Sequence, residues 1–388
     1  MPPILRPRTV ALDTSQWNGI TQDMMSSDRE KRRRAGRFIE GLIAGGWIPV
    51  FAFHHLAELM QHADDDLVDK RLMLLRELPH AAWIRNSSGT DIPGDIRTIQ
   101  GVEVEQAYLH PDAGCLEVRD FARTAMVRFG SGQEAIPRSL TDWRVLREAL
   151  NDMQQHARKV TAISRWRATP DEDTRLRDLV KFNWRQPTEV AAVLARQQER
   201  LAQEIAERGD ERIPDPQALA TEFMREVLSS AAAVQPNSGE PPVVRLLLMS
   251  GLERSDIDLD ETLGAHTRKI VYLKQLQMLS EEFGLPWRTV KSTVTSDRVP
   301  SAIIQDAIRQ HSQEPSRRKG SDLNDIHLLC LASHADVTYV DKRTMENVRR
   351  AGGKVPALIK LIGAVLKTRH YTEILDDIAR LDNVSTRN

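Results

Sequence analysis

Apolar residues fall into two kinds of run along this chain. Short, nearly unbroken ones, Thr9-Val10-Ala11-Leu12, Trp47-Ile48-Pro49-Val50-Phe51-Ala52, Ala81-Ala82-Trp83-Ile84 and Val337-Thr338-Tyr339-Val340, have the length and the β-branched and aromatic content of buried strands. Elsewhere the apolar positions recur at helical spacing. Ser27 to Ala44 and Leu67 to Leu78 read as amphipathic helices that follow the first two strands. Strands and helices in this alternation predict an α/β fold with a parallel sheet.

From about Pro111 to Pro286 the pattern is helical. Thr141-Asp142 opens a helix with Trp143, Leu146, Leu150 and Met153 at helical spacing, and Thr188 to Arg208 aligns Val190, Val193, Leu194, Leu201 and Ile205 before Gly209. Asp215-Pro216 supplies a cap and a first-turn proline for a helix bearing Leu219, Phe223 and Val227. A last helix runs from Asp260 to Phe283, with Gly284 and Pro286 beyond it. Gln235 to Pro242, with its prolines and glycine, reads as a linker. No fixed-period repeat is present. The expected organisation is an α/β domain in two halves, residues 1–110 and 291–388, separated by a helical insertion over 111–290.

Acids punctuate the strand ends. Asp13 follows the first strand and leads into Thr14-Ser15, while Asp341 follows Val340 and precedes Lys342-Arg343. Glu58 falls in the first turns of the helix after the second strand. Asp322 and Asp325 head an apolar helix (Ile326, Leu328, Leu329, Leu331, Ala332), and their spacing places them on one side of it, about 5–6 Å apart at Cβ. Ligands of parallel sheets bind at the carboxyl ends of strands. Like charges gathered there point to a hard divalent cation. Taken singly, each acid is equally a strand-end cap or a helix-start residue favoured by the dipole.

The succession of strand-Asp13-Thr14-Ser15, strand-helix with Glu58, Asp325 opening an apolar helix and strand-Asp341 resembles the PIN domain of metal-dependent nucleases. The most specific piece is NDIHLLCLASHADVTYVD, and Asp322 resembles a variant of larger bacterial PIN-like proteins. The resemblance covers roughly Met1 to Gln100 and Val299 onward. It departs from the family at Ser15, where Asn is usual, and at Lys342, and neither change removes a carboxylate. It implies a PIN-like three-layer sandwich with a central parallel sheet, here carrying a mostly α-helical insertion. It also implies an endoribonuclease, a phosphodiester hydrolase with RNA a better guess than DNA. Asp13, Asp325 and Asp341 would hold Mg²⁺ or Mn²⁺, with Glu58 and Asp322 completing the shell. No covalent nucleophile is evident, so the attack falls to water activated by the cation. A stress or phage-defence effector restrained by its insertion fits this outline. The alternative is an inactive PIN-like nucleic-acid-binding or assembly module whose insertion carries the function.

Charge sharpens the picture only locally. The formal net charge of −1 provides no global attraction to nucleic acid, which argues against a simple coating protein. Basic clusters do flank the acids in sequence: Arg32, Arg33 and Arg34 in the head of the second helix, Arg317, Arg318 and Lys319 before Asp322, and Lys342 and Arg343 after Asp341. They are either solvated faces or phosphate contacts for a nucleic-acid substrate. Arg165-Trp166-Arg167 and Trp184-Arg185 are either core residues with snorkelling arginines or platforms for unpaired bases.

His54, Glu58 and His62 share a helix without forming H-E-x-x-H, which leaves zinc poorly supported. Neither a phosphate-binding glycine loop nor a G-x-S-x-G elbow occurs. The two cysteines, Cys115 and Cys330, form no zinc or disulfide pattern, which fits a reducing cytoplasm. MPPILRPRTV has no secretory apolar core, and no run approaches the ~18–20 apolar residues of a membrane span. The expectation is a cytoplasmic protein whose partners are nucleic acid and, through the insertion, a second copy or a regulatory protein.

Overall fold

In the computed structural model, which describes residues 7–163, 173–180, 187–232, 240–313 and 316–385, the chain forms two compact units. The first comprises Met1–Asp152, Glu282–Gln313 and Asn324–Asn388, and the second Met153–Glu281 and Glu314–Leu323.

The first unit is built on a sheet of six strands: β1 (Arg8–Leu12), β2 (Trp47–Phe51), β3 (Ala81–Ile84), β4 (Val127–Gly130), β5 (Val337–Val340) and β6 (Ala364–Lys367). Their order is β4-β3-β2-β1-β5-β6, and every neighbouring pair is parallel except β3 with β4. The four strands expected from the sequence are all present. β4 and β6 are additions to that expectation. The two-residue period of a strand sends alternate side chains to opposite faces. Val10, Leu12, Phe51, Ala81, Val337 and Tyr339 join one apolar cluster, while Ala11, Val50, Ala82, Ile84 and Val340 join another.

Helices close both faces. Trp17 and Ile20 of Thr14–Met24, Phe38 and Leu42 of Arg29–Ala44, Leu56 and Leu59 of Phe53–Met60, and Leu72 and Leu75 of Asp65–Arg76 fill the first cluster. The second takes Ile99 of Ile96–Leu109, Met126 of Cys115–Met126, Ile304 of Pro300–His311, Leu329 of Ser321–Ala332 and Val348 of Lys342–Gly352. The sheet is therefore a buried middle layer.

This unit continues past residue 110, where the helical insertion was expected to begin. Cys115–Met126 and β4 extend it because Val127 to Gly130 pair with all four residues of β3, and Trp143 and Leu150 are buried in the first cluster. It resumes at Glu282, ahead of the expected 291.

At the amino ends of β1 and β5 the polar groups are matched. Asp336 Oδ2 accepts from the Thr9 N–H at 2.7 Å, and Arg123 reaches both Asp336 oxygens (3.2 and 3.0 Å) and Thr9 Oγ1 (3.0 Å). A second buried pair, Glu103 with His334 at 2.8 Å, also receives the Ser301 N–H at 2.8 Å.

The second unit is mainly helical in its described residues. Pro187–Arg208 and Pro216–Ala232 pack with the end of Arg147–Ile163 around Ala162, Leu201, Ile205 and Leu219. Leu263–Glu282 ends at the unit boundary, as the Asp260–Phe283 pattern anticipated. Residues 235–239 of the expected linker lie outside the described residues.

Candidate active site

The sheet's order reverses direction between β1 and β5, since β2 and β3 lie to one side and β6 to the other. Ligands of open α/β sheets bind at the carboxyl ends of the strands on either side of such a point. Both strands end there in an acid.

Asp13 follows β1 and occupies the cap position of Thr14–Met24, yet its side chain makes no capping bond. It accepts instead from Ser15 Oγ at 2.6 Å. Its backbone N–H donates to the Tyr339 carbonyl at 3.2 Å, which ties the end of β1 to that of β5. Asp341 follows β5 and does cap its helix, taking the Thr344 N–H at 2.6 Å.

Two helices bring the remaining carboxylates. Glu58, on Phe53–Met60, has both oxygens held: Thr14 Oγ1 donates to Oε2 and Asn324 Nδ2 to Oε1. Asp325, one residue further along Ser321–Ala332, accepts from Arg343 Nη2 at 2.8 Å. Arg343 stands in the first turn of the helix that Asp341 caps.

These carboxylates act on one another. Burial pushes Asp325 up from 3.8 to about 7, Asp341 and Asp13 add repulsion, and Arg343 pulls the other way. Asp13 is raised by burial and by Asp341, against the lowering effect of Ser15 and of the backbone. Glu58 is raised by burial and by Asp13, against Thr14 and Asn324. Each of the four is thus electrically coupled to at least one other.

The donor set suits a hard cation: it is all carboxylate oxygen, and its charges are mutually repelling and partly desolvated. Among the described residues no group of three or more His, Cys, Asp or Glu is arranged so that it could hold a metal ion. Protein groups hold the relevant oxygens instead, as Thr14 and Asn324 do for Glu58 and Arg343 for Asp325.

Asp322 has a local contact of its own. It belongs to the second compact unit, and its carboxylate accepts the Lys319 N–H at 3.2 Å, as a helix-start residue does. That contact is the one the local-cap alternative describes.

The basic residues separate in the same way. Arg318 is 2% exposed, paired with Glu204 and donating to the Ala162 carbonyl at 2.8 Å, so it holds the helical unit together and is not a surface phosphate contact. A run of three cations in sequence does not reveal that its middle member turns inward. Arg317 pairs with Glu211 at 3.0 Å, and Lys319 is exposed. In the second helix, Arg32 donates to the Ser26 and Ser27 carbonyls and Arg33 to Glu30. Arg34 bonds Asp23, which also accepts from the Tyr371 hydroxyl at 2.6 Å. All three remain exposed, as is Lys342. Arg165, Trp166, Arg167, Trp184 and Arg185 lie outside the described residues.

The histidines near Glu58 in sequence turn elsewhere, and His62 lies past the end of the Phe53–Met60 helix on which it was expected. His54 packs on His55 and His327, at ring-centroid distances of 4.2 and 6.1 Å, and burial holds His54 well below its usual value and His55 at about 4. His62 is exposed and accepts from the Asp64 N–H at 3.1 Å.

Asn324, which holds Glu58, is a neighbour that sequence reasoning missed. A neutral amide beside a more conspicuous acid carries no charge or periodicity signal.

No family model, curated protein or solved structure was found to match this chain.

Proposed function

We propose that this protein is a divalent-cation-dependent phosphodiesterase acting on nucleic acid, with RNA the first substrate to test and a PIN-like catalytic domain as its frame. The observation that carries the reading is the convergence of Asp13, Glu58, Asp325 and Asp341, from four separated segments, beside the reversal point of a mostly parallel sheet. A fold gains nothing in stability by holding three partly buried acids, Asp13, Glu58 and Asp325, beside one another and beside an exposed fourth, Asp341. Such an arrangement suits a positively charged ligand.

Asp13, Asp325 and Asp341 would hold Mg²⁺ or Mn²⁺, which supplies charge neutralisation at the phosphate and a more acidic bound water. The chain's own groups set the geometry. Ser15 orients the Asp13 carboxylate, and the Thr344 N–H orients that of Asp341. Thr14 and Asn324 fix Glu58, leaving it to accept a hydrogen bond from water at the rim of the site. Lys342 and Arg343 are the cations in sequence next to these acids and supply attraction for a phosphodiester.

The test is cleavage of mixed single-stranded RNA and DNA with Mg²⁺ or Mn²⁺, with and without chelator, by wild type and Asp13→Asn. Metal-dependent cleavage that Asp13→Asn abolishes is the expected result. An inactive assembly module would cleave neither substrate under any metal condition.

A further inference from the structure

Arg343 brings a guanidinium against a carboxylate that the proposed function needs for a metal. Its Nη2 lies 2.8 Å from Asp325 Oδ2, with the two side chains 39% and 29% exposed. The pair is thus about one third in solvent, and the arginine has water to move into. Guanidinium stays charged at every relevant pH, so Arg343 always presents a positive charge to Asp325. The short loop from β5 through Asp341 into its helix sets Arg343 two residues after one proposed ligand and against another.

We propose that Arg343 is a built-in competitor for the divalent cation: it neutralises Asp325 while no ion is bound, and an arriving ion must displace it. The inference rests on the metal-dependent reading above. It adds a regulatory consequence, because the apparent metal affinity is set by the ion pair as well as by the ligands. A state with Arg343 on Asp325 is protected against ions that bind weakly and against nonproductive occupancy. Once displaced, the guanidinium remains beside the site as a cation for the substrate's phosphate.

The experiment is Mn²⁺ titration calorimetry above neutral pH on the full chain and on Arg343→Gln, Lys342→Gln, Asp325→Asn and the Asp325→Asn/Arg343→Gln double variant. Arg343→Gln is expected to bind Mn²⁺ about tenfold more tightly than wild type, equivalent to ~1.4 kcal/mol. Lys342→Gln removes the same charge from an exposed neighbour and should change affinity by less than about twofold. The gain from Arg343→Gln should vanish in the Asp325→Asn background, since the competition acts through that carboxylate. Equal or weaker binding by Arg343→Gln overturns the inference. So does an equal gain from Lys342→Gln, which would show a long-range charge effect, or a gain that survives in Asp325→Asn. Absence of Mn²⁺ binding by every protein in the set defeats the metal-dependent reading itself, whereas wild-type binding unchanged in Arg343→Gln defeats only the competition.

Discussion

Asp325 offers the most direct measurement of what burying an acid beside other acids costs the fold. Its pKa is about 7 in the folded chain, against the ordinary 3.8. A carboxyl with a raised folded pKa keeps its proton in the native state after the unfolded chain has lost it. Stability therefore falls as pH rises from about 4 to about 7 and is flat above that range. Asn cannot ionise, so Asp325→Asn is free of this loss. The stability gap between variant and wild type should widen by ~2–3 kcal/mol from pH 5 to pH 8, in the variant's favour. At about 2–4 °C per kcal/mol for a unit of this size, that is a relative gain of roughly 5–10 °C in Tm. Scanning calorimetry of both proteins in metal-free buffer at pH 5, 6, 7 and 8 reads it directly. A gap that stays constant over the range, or narrows as pH rises, refutes the burial of Asp325 as the main cause of its raised pKa, with the neighbouring acids as the lesser one.

Further outcomes follow from the same geometry. Asp13→Asn and Asp341→Asn should each lower metal-dependent cleavage by at least ~100-fold while circular dichroism stays native, because each removes a proposed ligand; cleavage at the wild-type rate by either would remove it from the site. Mn²⁺ at a hundred times its dissociation constant should stabilise the wild type by ~2.7 kcal/mol and Asp13→Asn by much less, read as a Tm shift. Asn324→Ala frees one Glu58 oxygen, and should lower kcat about tenfold with little change in KM, whereas a purely structural role would lower Tm and leave kcat intact. Gly132→Ala sets a Cβ 2.1 Å from the Leu75 carbonyl oxygen, a backbone atom that cannot swing away, and should destabilise the first unit by ~1–3 kcal/mol in urea denaturation.

The readable parts of this chain were those whose physics is local. β1, β2, β3 and β5 announce themselves as short apolar runs, and Asp13 and Asp341 stand out because a buried strand seldom ends in an acid without cause. Glu58 and Asp325 were legible from their place in the first turns of apolar helices. β4, Val-Arg-Phe-Gly, escaped notice because four residues with one charge carry too little periodicity, and only pairing with β3 makes them a strand. Arg318 looked like a surface cation because charge in sequence is silent about direction, and its partner Glu204 lies 114 residues away. Asp322 shares a helix with Asp325, but a one-turn offset at a helix start is enough to spend its carboxylate on a backbone N–H. Asn324 could be found only through the acid it touches.

The matched network of Thr9, Arg123 and Asp336 has a consequence for how this protein can change. It locks β1 and β5 at their amino ends, whereas the acids sit at the opposite ends of the same strands. The pairing of the two strands therefore does not depend on the chemistry displayed beyond Leu12 and Val340. Residues 13–15, 58, 324, 325 and 341 can be exchanged as a set while the register of the frame is kept by groups a strand's length away. A scaffold arranged in this way is open to new ligands at one rim through few substitutions. The same number of changes at Thr9, Arg123 or Asp336 would instead leave a buried charge or hydroxyl without its partner and threaten the fold itself.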